Sequence, residues 1–212
     1  MAKLDEKKQA ARREHILNAA QQCFARQGFH RSSMHDICRE AGVSAGALYI
    51  YFSSKEDLIG GLCEREKREL AERLSGVARA PDFMQALAAL AETYCLHQPR
   101  EKLRLQVEIN AEALRNPAIC NTVRAIDSFV LESFERLLRE ARDEGRISPS
   151  ADPAAIARVM SIIADGLSWQ RAFNDDFDAS EVMPVILSLV SSLINPAGKP
   201  AACPETEIES EI

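Results

Sequence analysis

Residues 33–55 read Ser-Met-His-Asp-Ile-Cys-Arg-Glu-Ala-Gly-Val-Ser-Ala-Gly-Ala-Leu-Tyr-Ile-Tyr-Phe-Ser-Ser-Lys, and no other stretch narrows the choice of fold as far. Two short helical segments flank the turn Ala41-Gly42-Val43-Ser44. Gly42 reaches a positive φ without a Cβ penalty, and Ser44 can accept a hydrogen bond from the first turn of the helix that follows. The layout is that of a helix-turn-helix, a motif that delivers its second helix to the major groove of DNA. Tyr49, Tyr51 and Phe52 crowd the end of that second helix, and Ser54-Lys55-Glu56-Asp57-Leu58 opens another at once.

The 3.6-residue period continues on both sides of this stretch. A first helix is predicted from Gln9 to Gln27, with Ile16, Leu17, Ala20 and Phe24 on one face. Gly28 ends it and Phe29 folds back onto Phe24. Ser33 caps a second helix with Asp36 three residues on, and Ser44 caps a third. Ser54 caps a fourth that reaches about Leu74, with Asp57 at the capping-box position. Ala80-Pro81-Asp82 breaks the chain. A fifth helix then runs from Phe83 towards Gln98-Pro99, and a sixth covers Arg100 to Arg115. Asn116 caps a seventh, with Pro117 at its first position and a stop at Gly145. Asp152-Pro153 opens an eighth, to Phe173. A ninth spans Ser180 to Leu193 and tolerates Pro184 because that residue lies near the first turn. Nine helices without a hairpin signal predict an all-α protein. The tail from Ala197, rich in Pro and Glu, is expected to be disordered.

Composition removes other classes. The 212 residues are 46% hydrophobic, enough for a core, yet no apolar run approaches the ~20 residues that span a bilayer. The N-terminus lacks the apolar stretch of a signal peptide, so a cytoplasmic location with no membrane partner is expected. The net charge of −6 argues against nucleic acid until its distribution is drawn. Residues 1–55 carry nine Lys and Arg against five Asp and Glu, a net of +4, and the remainder carries −10. A basic module on an acidic body suits local phosphate binding, because the charge that faces DNA matters more than the total. Six cysteines, at 23, 38, 63, 95, 120 and 203, are scattered without a C-x-x-C pair. They read as reduced thiols. No nucleophile elbow, phosphate loop or metal-ligand spacing organises an active site, so no enzyme activity, metal or cofactor is expected.

Ile16, Ala20, Phe24 and Gly28 are followed by Ser33, Asp36, Ile37, the Ala41–Ser44 turn, Gly46, Leu48, Tyr49, Tyr51-Phe52, Ser54-Lys55-Glu56 and Leu58. On these residues the segment Ile16–Leu62 resembles the DNA-binding domain of the TetR family of bacterial transcriptional regulators. The rest of the chain is similar only in length and helix content. The resemblance implies a helix-turn-helix DNA-binding domain at residues 1–54, with a basic N-terminal arm (Lys7, Lys8, Arg12, Arg13). It implies a ligand-binding and dimerisation domain at 55–196, leaving an acidic tail at 197–212.

Ser33 and Ser44 stand at helix N-termini, where free N–H groups and the helix dipole favour a phosphate. By position in the family's motif, Tyr49 and Lys55 resemble phosphate contacts, and Tyr51, also assigned to the DNA-binding site, packs against the fourth helix with its hydroxyl near the backbone. The outward positions Ala45, Gly46, Ala47 and Ile50 offer no bidentate base contact. Ala47 and Ile50 suit thymine methyls, while His35 and Arg39 are placed to reach bases or phosphates. Shape-dependent readout is expected to supplement them.

A palindromic double-stranded operator and a homodimer follow from the resemblance, since the family pairs its last two helices as a four-helix bundle. The residues assigned to that interface are Ile156, Val159, Met160, Ile163 and Leu167 on the eighth helix and Met183, Ile186, Leu187, Val190 and Ile194 on the ninth. The other helices are expected to enclose a small-molecule pocket lined by Leu103, Val107, Leu114, Phe129, Val130, Phe134, Trp169 and Phe173. Glu108, Asn110, Gln170 and His97 are its candidate polar anchors. The function implied is a repressor of an efflux or catabolic operon, released when a small hydrophobic or aromatic inducer tilts the fourth helix. Redox control through the cysteines, or control by a protein partner on the acidic body, are the alternatives within the same fold.

Overall fold

The computed structural model describes residues 2–196, with side chains from residue 7 onward, and among them nine helices and no strand. They are α1 (Ala2–Gln27), α2 (Met34–Ala41), α3 (Ala45–Tyr49), α4 (Lys55–Arg79), α5 (Phe83–Cys95), α6 (Arg100–Ala113), α7 (Pro117–Asp143), α8 (Pro153–Phe173) and α9 (Ala179–Ile194). None is long and apolar enough to cross a membrane. The acidic tail lies outside the described residues.

Most boundaries follow from local chemistry. Gly28, Gly42 and Gly145 take positive φ at the ends of α1, α2 and α7. Asn116 caps α7 through bonds from the Ala118 and Ile119 amides, with Pro117 behind it. Three limits differ from the sequence expectation. α1 begins at Ala2 rather than Gln9, so the basic arm is a continuation of the helix. Its first turns, Ala-Lys-Leu-Asp-Glu-Lys-Lys-Gln, are rich in helix formers but carry no apolar period to announce a helix. α4 continues through Ser75-Gly76 to Arg79, and α6 ends at Ala113.

α1, α2 and α3 pack as a head on the N-terminal part of α4. Ile16, Leu17, Phe24, Ile37, Leu48, Phe52, Leu58 and Ile59 form its core. That core does not close on itself: Leu62 of α4, Leu105 of α6 and Ile119 of α7 belong to the same cluster. A second core joins Leu70 and Leu74 of α4 to Leu87, Leu90, Leu137, Leu138, Ile156, Val190 and Ile194. α4 packs along α7 more extensively than any other pair of helices meets. After α9 the chain returns beside the α7–α8 connection, where the Ser148 and Ser150 amides donate to carbonyls of residues 193–195.

Candidate nucleic-acid interface and its connection to the body

α3 is five residues long and is held by what surrounds it. Leu48 is fully buried, and the Tyr51 and Phe52 amides donate to its carbonyl at 2.9 and 3.1 Å, closing the helix. The opposite face is open. Ala45 and Gly46 are exposed and Ala47 partly so. Tyr49 is 54% and Ile50, the C-cap, 79% exposed. This is an apolar, donor-poor surface, as the sequence suggests. On α2, His35 and Arg39 are exposed beside it.

The two serine caps differ. Ser33 is locked in a reciprocal capping box: its Oγ accepts from the Asp36 amide, and its own amide and hydroxyl donate to the Asp36 carboxylate at 3.0 and 2.6 Å. These bonds from Ser33 hold the Asp36 carboxyl below its usual range, and Arg39 pairs with it at 2.7 Å. A carboxylate thus already stands at the N-terminus of α2, where a phosphate was expected. Ser44 accepts from the Ala47 amide, and no acidic side chain occupies the first turn of α3. A phosphate therefore meets no competing charge there.

Lys55 and Tyr51 sit differently from plain surface contacts. The Lys55 ammonium donates to the Phe29 carbonyl at 2.7 Å and the His30 carbonyl at 3.4 Å, and lies 4.4 Å from the Phe29 ring centre. It ties α4 to the loop after α1. Tyr51 is partly buried against the head core.

That loop is gripped from the body as well. Glu108 of α6 accepts the His30 amide at 3.2 Å, and its carboxylate lies so close to Gly28 that a Cβ there would meet it at 3.1 Å. Glu112, buried one turn on, lies 2.9 Å from the His30 ring and 2.6 Å from Arg115. The Arg115 bond holds the Glu112 carboxyl low, with His30 assisting. Glu108 was expected as a ligand anchor; its carboxylate is spent on the head. The i, i+4 pairing of two glutamates was visible in sequence, but their partners lie about eighty residues away.

The pocket residues do not come together as expected. Leu103 is buried, and Phe129, Val130 and Phe134 pack partly buried against the body core, with Val107 also partly buried. Asn110 and Gln170 are exposed, Leu114 is 90% exposed, and Trp169 and Phe173 stack on each other at 4.5 Å on the outside of α8. His97 lines a separate cleft of about 420 Å³ with Arg100 and Arg171.

The residues assigned to the dimer also sit mostly inward. Ile156, Leu167, Met183, Val190 and Ile194 are buried in the chain's own cores, and Met160, Ile163, Ile186 and Leu187 pack against those cores. Only Val159 of the ten is outward. The outward apolar residues are Val159, Ile162, Trp169 and Phe173 on α8, with Val185 and Leu189 on α9. Inner and outer stripes of α8 share the same alternating spacing of three and four, so periodicity alone could not tell which of them faces water.

Residues 16–62 match the family described as bacterial regulatory proteins, tetR family, and residues 84–195 match the BetI-type transcriptional repressor C-terminal domain. The chain belongs to the TetR family. It is 31% identical to the HTH-type transcriptional regulator UidR of Escherichia coli K12, over 73% of this chain and 79% of that protein. The structure of Salmonella enterica GusR superposes with a TM-score of 0.69 at 28% identity, covering 87% of this chain and 96% of that one. The complex of SmeT with triclosan gives 0.68 at 25% identity, covering 92% and 100%. The tetR-family match takes in α2, α3 and the start of α4, and the BetI-type match takes in α5–α9.

Proposed function

We propose that this TetR-family regulator is a homodimeric repressor that reads a two-fold operator through α3 and the N-terminal part of α2, and that a small molecule held by the body releases it. The observation that carries the reading is the exposed apolar seam of α8 and α9. Val159, Ile162, Trp169 and Phe173 follow one another at spacings of three, seven and four around Gly166, where a Cβ would meet nothing within 4 Å. A seam of this spacing left open to water suits pairing with a second copy, and a dimer presents two heads to successive major grooves about 34–36 Å apart. Ser44 and Tyr49 are the phosphate contacts, Ala47 and Ile50 the methyl contacts, and Arg39 an additional base or phosphate contact.

The small-molecule signal is supported by the solved complex of the relative SmeT with triclosan. In this chain, Leu103, Val107, Phe129, Val130 and Phe134 are the inward residues that serve such a ligand. Its effect reaches DNA by two routes, through α4 and through the Glu108 and Glu112 contacts of α6 on the loop after α1. The ligand must bind the DNA-incompetent arrangement more tightly, because equal affinity shifts nothing.

The test pairs sedimentation with fluorescence anisotropy on the protein's own upstream intergenic DNA. Ile162→Asp and Leu189→Asp should convert a dimer to a monomer and abolish specific binding, while leaving the helical content unchanged. A dimer that survives both substitutions refutes the seam. Specific binding by a monomer refutes the two-fold reading.

A further inference from the structure

α4 carries two adjacent glycines, each unfavourable in a helix interior by about 1 kcal/mol relative to alanine. Gly61 has a packing reason: a Cβ there would lie 2.8 Å from Leu17 and 2.9 Å from Phe52, so its absence lets α1 approach. Gly60 has none. A Cβ at Gly60 would meet nothing within 4 Å. The space it leaves open belongs to a cleft of about 460 Å³ between the head and α7, within the size range of small-molecule sites.

The polar groups around that cleft are unevenly engaged. Asp57 accepts from the Ser53 amide and hydroxyl, Glu64 takes the Lys67 ammonium at 2.9 Å, and the Thr122 hydroxyl donates to the Ala118 carbonyl. Arg13 is partly buried with its guanidinium 5.1 Å from the Phe52 ring centre, and makes no ion pair or side-chain hydrogen bond among the described residues. Tyr51 and Asn121 add a hydroxyl and an amide. What remains free is a planar donor fork over the Phe52 ring, with the Asn121 amide in the same cleft wall.

We infer that this cleft binds a small organic carboxylate, seated between Arg13 of the head and Asn121 of α7, with Gly60 keeping the space open. The guanidinium fork matches a carboxylate with two parallel hydrogen bonds. A molecule held there bridges head and body, so its affinity and that for DNA are linked reciprocally. The regulatory meaning rests on the repressor reading; the site itself does not.

The experiment is calorimetric titration of the full-length protein, without DNA, with benzoate, phenylacetate and succinate as probes and benzamide as the neutral control. At least one carboxylate should bind and benzamide should not. Gly60→Leu, which fills the cleft, and Arg13→Gln, which removes the fork, should each weaken binding at least tenfold while the unliganded variants keep cooperative melting. No binding by any of the three probes overturns the inference. So does equal binding of benzamide, or loss in only one of the two variants. Because DNA is absent, failure here leaves the DNA reading to be judged by its own assay.

Discussion

Replacing each of the adjacent glycines of α4 by alanine should move stability in opposite directions. At Gly60 the new methyl meets no atom within 4 Å. The gain is therefore the helix propensity difference alone, about 0.5–1 kcal/mol. At Gly61 the same gain is set against a Cβ at 2.8 Å from Leu17 Cδ2 and 2.9 Å from Phe52 Cε1. Arg13, at 3.2 Å, can move aside. Leu17 and Phe52 cannot do so cheaply, because both are buried in the head core, and overpacking of this kind costs about 1–3 kcal/mol. The net effect at Gly61 is a loss of up to about 2 kcal/mol, and the two variants should differ by about 1–3 kcal/mol. For a chain of this size that corresponds to melting temperatures separated by roughly 2–12 °C, Gly60→Ala above the parent and Gly61→Ala at or below it. The comparison must be made at one protomer concentration, since association raises apparent stability. Gly61→Ala melting as high as Gly60→Ala would refute the close approach of α1 to α4.

Ser44→Ala should cost about 1 kcal/mol by removing the cap of α3, read as a lower denaturation midpoint with unchanged slope. Asp36 and Asp57 are both held low by serine hydroxyls and amides. Each therefore contributes stability that is complete above the ordinary value of 3.8 and is lost as pH falls through the lower folded value. Thermal melts should be flat near neutrality and fall below about pH 4, with a shallower acid limb in Asp36→Asn; an unchanged limb contradicts the capping box. Burial pushes the Cys63 thiol up to about 11. Its thiolate fraction at pH 7 is then about 100-fold below that of an unperturbed cysteine, and iodoacetamide labelling mapped by mass spectrometry should be slower than in the denatured chain by a comparable factor. Equal labelling rates would refute this burial and favour redox control through Cys63.

What could be read in advance was the chemistry of near neighbours. Ser33, Ser44 and Ser54 each cap the helix expected of them, because a cap involves residues two or three apart. Even there, Asp57 returns its bond to Ser53 rather than Ser54. α4 runs past Leu74 because Val77, beyond Ser75-Gly76, is buried and carries the helix on to Arg79. For the dimer and pocket residues the sequence could name the helix but not the side: an apolar stripe at helical spacing on α8 says that a face is buried, not against what. The grip of Glu108 and Glu112 on the loop after α1 depends on how α6 lies across the head, and that placement has no signature within either segment.

The core that runs from Phe24 and Leu48 into Leu105 and Ile119 bears on how such a protein can diversify. A head that owned its whole interior could be transplanted between bodies. This one borrows part of its interior from α6 and α7, so a chimera joined within α4 would replace two members of the head's own core, Leu105 and Ile119. Changes in α6 and α7 must keep those two borrowed positions apolar and of similar volume, even while every other surface of the body drifts.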